Sequence, residues 1–117
     1  MRGKTSLARA ALVAALALPA VGAWAVEGPS PEAVQKAKTP AEHTAIADAY
    51  AAQAAELRKK AAEHKDMLAS YEKGPGYLTG KIGLRDHCRT LIDSYEKAAD
   101  AAGAMAKMHR DLAAQAK

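Results

Sequence analysis

Between Ala41 and Lys73 the chain contains neither Gly nor Pro, and Gly74-Pro75 follows at once. A run rich in Ala, Glu and Lys, with nothing to interrupt its hydrogen-bond ladder, has little option but a long helix. Its start is as well marked as its stop. Thr39-Pro40-Ala41-Glu42 is a capping box with Pro at the first helical position. In it the Thr hydroxyl accepts one orphan N–H while the Glu carboxylate reaches back. The sequence predicts a helix from Pro40 to about Glu72, closed by a left-handed Gly74 and by Pro75, which cannot continue it. A second helix is expected from Leu84 to near the C-terminus, with residues 74–83 as the bend. Its one internal Gly, Gly103, stands among Ala residues and is expected where two helices approach closely.

The two arms echo each other at an offset of 45 residues. His43 aligns with Cys88, Ile46 with Leu91, Asp48 with Asp93, Tyr50 with Tyr95 and His64 with His109. His64-Lys65-Asp66-Met67 aligns with His109-Arg110-Asp111-Leu112. This pattern reads as an internal repeat. The matched positions also share a heptad stripe, since His43, Tyr50, Leu57, His64 and Tyr71 stand seven apart, with Ile46 and Met67 three residues further on. In the second arm the stripe is Cys88, Tyr95, Ala102 and His109, with Leu84, Leu91, Ala98, Met105 and Leu112. Seven-residue spacing holds side chains on one face of a supercoiled helix, so both rows are expected in the interface. The expected fold is all-α: an antiparallel hairpin of two long helices plus a short N-terminal helix, dimerising into a four-helix bundle.

The chain before the hairpin divides at residue 25. Arg2, Lys4 and Arg9 form a basic start, Ala10 to Ala20 is apolar, and Ala23-Trp24-Ala25 fits a small-x-small cleavage site. Residues 1–25 therefore read as a cleavable signal peptide, and the apolar stretch is too short for the ~20 residues that span a bilayer. The protein is expected to be periplasmic or secreted, with no membrane association after cleavage. Residues 26–39 form a Pro-containing lead-in, where Ser30 and Pro31 would start a short helix running to about Lys38; the hairpin occupies 40–117.

Removing the leader takes three cations from a total of 17 Lys and Arg, leaving 14 against 13 Asp and Glu. A near-neutral chain without a basic patch argues against a nucleic-acid partner. Phe is absent and the single Trp lies in the leader. Two helices poor in large apolar residues enclose little core, which is why a homodimer is expected.

Folding the arms about Leu78 makes the numbers of facing residues sum to roughly 156. His64, Met67 and Cys88 then gather near the bend, with His87 adjacent, and His43, Met105 and His109 gather at the open end. Imidazole, thioether and thiolate together suit Cu(I), and imidazole with thiolate also suits Zn(II). Metal binding or buffering on the helix seam, with copper or zinc, is the leading expectation. The alternative is a non-catalytic interaction or scaffold protein whose seam is only core, because His, Tyr and Met also serve as ordinary interface residues. A third reading is a redox-responsive thiol at Cys88, which stands near a helix start beside Arg85, His87 and Arg89. An enzyme is not expected. Gly80-Lys81 lacks the Gly a phosphate loop needs at position 75, where Pro stands, and no Ser–His–Asp set is evident.

Overall fold

In the computed structural model the described residues are 27–76 and 83–116. The expected leader, residues 77–82 of the expected bend and Lys117 lie outside them. Three helices follow one another: α1 (Pro31–Lys36), α2 (Pro40–Lys73) and α3 (Leu84–Gln115). The two long helices pack side by side, and α1 rests on α2. Among the described residues there is no strand, and no helix is long and apolar enough to cross a membrane.

Local chemistry sets the helix starts. Ser30 accepts from the Ala33 amide with Pro31 in the first turn of α1, which stops at Lys36, two residues short of the expected end. Thr39 and Glu42 complete the capping box of α2. The Glu42 amide donates to Thr39 Oγ1 at 3.2 Å, and Glu42 Oε2 accepts from the Lys38 and Thr39 amides at 2.7 and 3.0 Å. These amides hold the Glu42 carboxyl below its ordinary pKa of 4.5.

Gly74 departs from expectation. It is extended, with φ −76° and ψ 179°, rather than left-handed. Pro75 explains this, because a proline ring crowds the residue before it out of the helical region and into extended backbone. The left-handed glycine is instead Gly83, with φ 64°, immediately before α3.

The contact line between α2 and α3 is built largely from Ala. Ala47, Ala54 and Ala61 are buried on α2, and Ile92, Ala99 and Ala106 on α3. They alternate with the larger stripe residues His43, Tyr50, Leu57 and His64 on one helix and Cys88, Tyr95, Ala102 and His109 on the other. The second row of the seam thus lies one residue beyond the expected one. Leu91, Leu112 and Met67 are exposed at 40, 43 and 40%. Ala98 is also exposed, and Leu84 and Met105 are half-buried, whereas Ile46 is buried as expected. The reason is steric: methyl groups along most of this line let the two backbones come near, with Ile92 the large side chain that shares it. The larger apolar side chains are displaced to the flank.

Cross-helix ion pairs close the opposite flank. Lys65 pairs with Glu96, Arg89 with Glu72 at 3.0 Å and Arg58 with Asp100 at 3.5 Å, and Arg110 reaches Asp48 at 3.9 Å. Lys65, Glu72 and Arg58 each follow a large seam residue by one position, as do Arg89, Glu96 and Arg110. Gly103 lies on this ionic flank and is not a point of close backbone approach. A Cβ added there would meet only the Arg58 guanidinium, at 3.8 Å.

Candidate functional site

Two contacts between polar seam side chains define the site. His43 Nδ1 lies 3.2 Å from His109 Nδ1. At the other end, Cys88 Sγ lies 3.7 Å from His64 Nδ1 and 3.8 Å from the His64 carbonyl oxygen. In both pairs the residue numbers sum to 152, which centres the antiparallel register on residue 76 rather than 78. The facing partners consequently sit four residues, about one helical turn, from their expected places. Cys88 faces His64 itself rather than Leu68, and His43 faces His109 rather than Ala113.

The 45-residue offset carries His43 onto Cys88 and His64 onto His109, so it exchanges the two pairs. It also exchanges their supports. Tyr50 stacks on the His109 ring with centroids 5.8 Å apart, and Tyr95 stacks on the His64 ring at 5.5 Å. The tyrosines were legible as stripe residues but not as platforms for the imidazoles. Their shared offset was the signal: a Tyr that aligns with a Tyr, beside a His that aligns with a His, implies a repeated contact.

Burial shapes what these groups can do. His109 and Cys88 are 6 and 5% exposed, while His43 and His64 are half-buried at the seam edge. In the His43–His109 contact one Nδ1 carries the proton and donates while the other accepts. The Cys88 thiol donates to the His64 carbonyl oxygen. No buried side-chain nitrogen or oxygen among the described residues lacks a partner.

The remaining candidate ligands stand outside these pairs. Met67 is exposed one turn beyond His64, and Met105 is half-buried one turn before His109. His87 is exposed and turns toward the start of α3, where a Cβ on Gly83 would lie 3.6 Å from its ring. Among the described residues no group of three or more His, Cys, Asp and Glu side chains converges. The seam therefore offers donors in twos. A groove of about 520 Å³ between α1 and α2, lined by Ala33, Ala37, Ala45, Ile46, Ala49 and Ala52, carries no His, Cys or Met.

The pair distances carry chemical information. Zn–N bonds of about 2.0–2.1 Å and Zn–S bonds of about 2.3 Å, at a tetrahedral angle, separate two nitrogens by about 3.3 Å and a nitrogen from a sulfur by about 3.6 Å. The observed 3.2 and 3.7 Å lie close to these values. They are also the ordinary separations of an N–H···N and an S–H···N hydrogen bond.

The fold and the site thus define a two-helix antiparallel hairpin, with a short leading helix and two symmetry-related donor pairs on its seam. Comparison with protein-family models, with curated proteins and with solved structures finds no match to this chain.

Proposed function

We propose that this chain is exported, dimerises into a four-helix bundle, and binds or buffers a soft transition metal, Cu(I) or Zn(II). One observation carries the reading: two donor pairs, His43 with His109 and His64 with Cys88, recur at related places on the seam with chelating separations. Imidazole and thiolate are donors that Zn(II) and Cu(I) accept well. Met67 and Met105 stand one turn from the imidazoles and supply thioethers where Cu(I) is the ion. No step of covalent catalysis is involved, and the protein acts by affinity alone.

A second reading also has an observation behind it. The stacked rings of Tyr50 on His109 and Tyr95 on His64, with every buried side-chain nitrogen and oxygen among the described residues partnered, would serve a non-catalytic interaction protein whose seam is core. The two readings separate in one experiment. Metal content and Cu(I) and Zn(II) competition affinities are measured on the exported protein, purified under reduction, and on its His64→Asn and Cys88→Ser variants. Metal handling predicts binding tighter than micromolar that the variants lose at unchanged helicity. A metal-free protein whose variants lose only stability supports the core reading.

A further inference from the structure

A tetrahedral ion takes four ligands, and each pair on this hairpin supplies two. Among the described residues no third His, Cys, Asp or Glu joins either pair, so closure has to come from outside the single hairpin or from a thioether. The flank beside the loop-end pair shows where a second set of donors would enter. Met67 and Leu91 are exposed there, Leu84 is half-buried and Ala98 is exposed, and all are uncharged. Leu84, Leu91 and Ala98 stand seven apart, as a helix docking row does. The opposite flank is occupied by the cross-helix ion pairs. At the open end, α1 and the lead-in flank α2 across the groove lined by Ala45, Ile46 and Ala49. The uncovered apolar flank runs along α3 from Leu84 to Leu112, and its loop-end half borders His64 and Cys88.

A second copy of this chain is the occupant that satisfies both needs. Among the described residues no large side chain is fully buried, so a single copy hides little apolar surface and gains by covering this flank. A two-fold axis along the hairpin's long direction sets α2 of one copy beside α3 of the other, antiparallel, as within the hairpin. Such an axis leaves heights unchanged. The His64–Cys88 pair of one copy then shares a layer with the same pair of the other.

Building on the metal reading above, we infer that two hairpins join through the Met67–Leu91 flank to close one intersubunit Cys₂His₂ site of the structural zinc class, formed by His64 and Cys88 of both copies. Its ion would be Zn(II), held by two imidazoles and two thiolates, with the Cys88 protons released to solvent on binding.

The test uses the reduced, exported protein titrated with Zn(II) alone, with mass followed by sedimentation, and with Co(II) as a spectroscopic substitute. The expected result is one thiolate-bound zinc per two chains in a dimer, and a tetrahedral Co(II) spectrum with a thiolate charge-transfer band that Cys88→Ser abolishes. Leu91→Glu changes a side chain that is exposed on the lone hairpin. It should leave helicity unchanged while weakening both dimerisation and zinc binding, the latter by more than about tenfold. One zinc per monomeric chain would overturn the intersubunit site and leave the metal reading standing. Absence of zinc binding in monomer and dimer alike would overturn the intersubunit site and leave Cu(I) as the ion of the metal reading.

Discussion

Replacing Gly103 with Ala separates two accounts of the second helix. A glycine inside an Ala-rich helix invites the view that another backbone passes close by, and on that view a methyl group would push the helices apart. The structure places Gly103 on the ionic flank with helical neighbours on both sides, and it is not among the glycines with positive φ. A Cβ there would make ordinary contact with the Arg58 guanidinium at 3.8 Å, the end of a flexible side chain. With no steric cost, what remains is helix propensity, where Ala is favoured over Gly by about 0.8–1.0 kcal/mol. For a domain of this size, about 1 kcal/mol raises Tm by about 4–8 °C. Thermal melting followed by far-ultraviolet circular dichroism reads the change. A lowered Tm in Gly103→Ala would refute the reasoning and place a second helix directly against this position.

Three further substitutions probe the frame. Ala99→Leu inserts bulk at a fully buried position on the contact line and should cost about 1–3 kcal/mol, measured by urea unfolding; an unchanged midpoint would mean the helices are not in contact there. Gly83→Ala places a side chain at φ 64° and should destabilise by about 1–2 kcal/mol in the same assay, the opposite sign to Gly103→Ala. The Glu42 carboxyl is held below its ordinary pKa by the Lys38 and Thr39 amides, so its contribution is complete at pH above 4.5 and is lost as pH falls through the depressed folded value. Melting curves on the acid side should therefore show a smaller pH dependence in Glu42→Gln than in the parent protein.

Helix ends were largely legible because caps are local. Thr39, Pro40 and Glu42 name the start of α2 within four residues, and Ser30 with Pro31 does the same for α1. The conformation of Gly74 was not, because two local rules compete there: the preference for a left-handed glycine after a helix yields to the crowding imposed by Pro75. The seam was half legible. The heptad row from His43 to Tyr71 and that from Cys88 to His109 were evident, but the companion rows were assigned to Leu91, Met105 and Leu112 by hydrophobicity. Contact distance selected Ala47, Ala54, Ala61, Ala99 and Ala106 instead, and hydrophobicity scales say little about which small residue lies nearest a neighbouring backbone. The site followed from the repeat: the offset pairs His43 with Cys88 and His64 with His109, and antiparallel folding crosses them. The one-turn error in register reflects a bend whose geometry no spacing rule specifies, and it matters because it brings Cys88 onto His64 directly. Met67 and Met105 were read as ligands on chemistry alone, and their places on the seam edge depend on which row the helices choose.

The central claim is that the seam pairs bind a soft metal, and the measurement that tests it most directly is competition titration of the reduced protein with Cu(I) and Zn(II), alongside His64→Asn and Cys88→Ser. Submicromolar affinity for at least one ion, lost in the variants at unchanged helicity, is the predicted result. Affinity no tighter than micromolar for both ions would contradict the claim and assign His43, His64, Cys88 and His109 to the core.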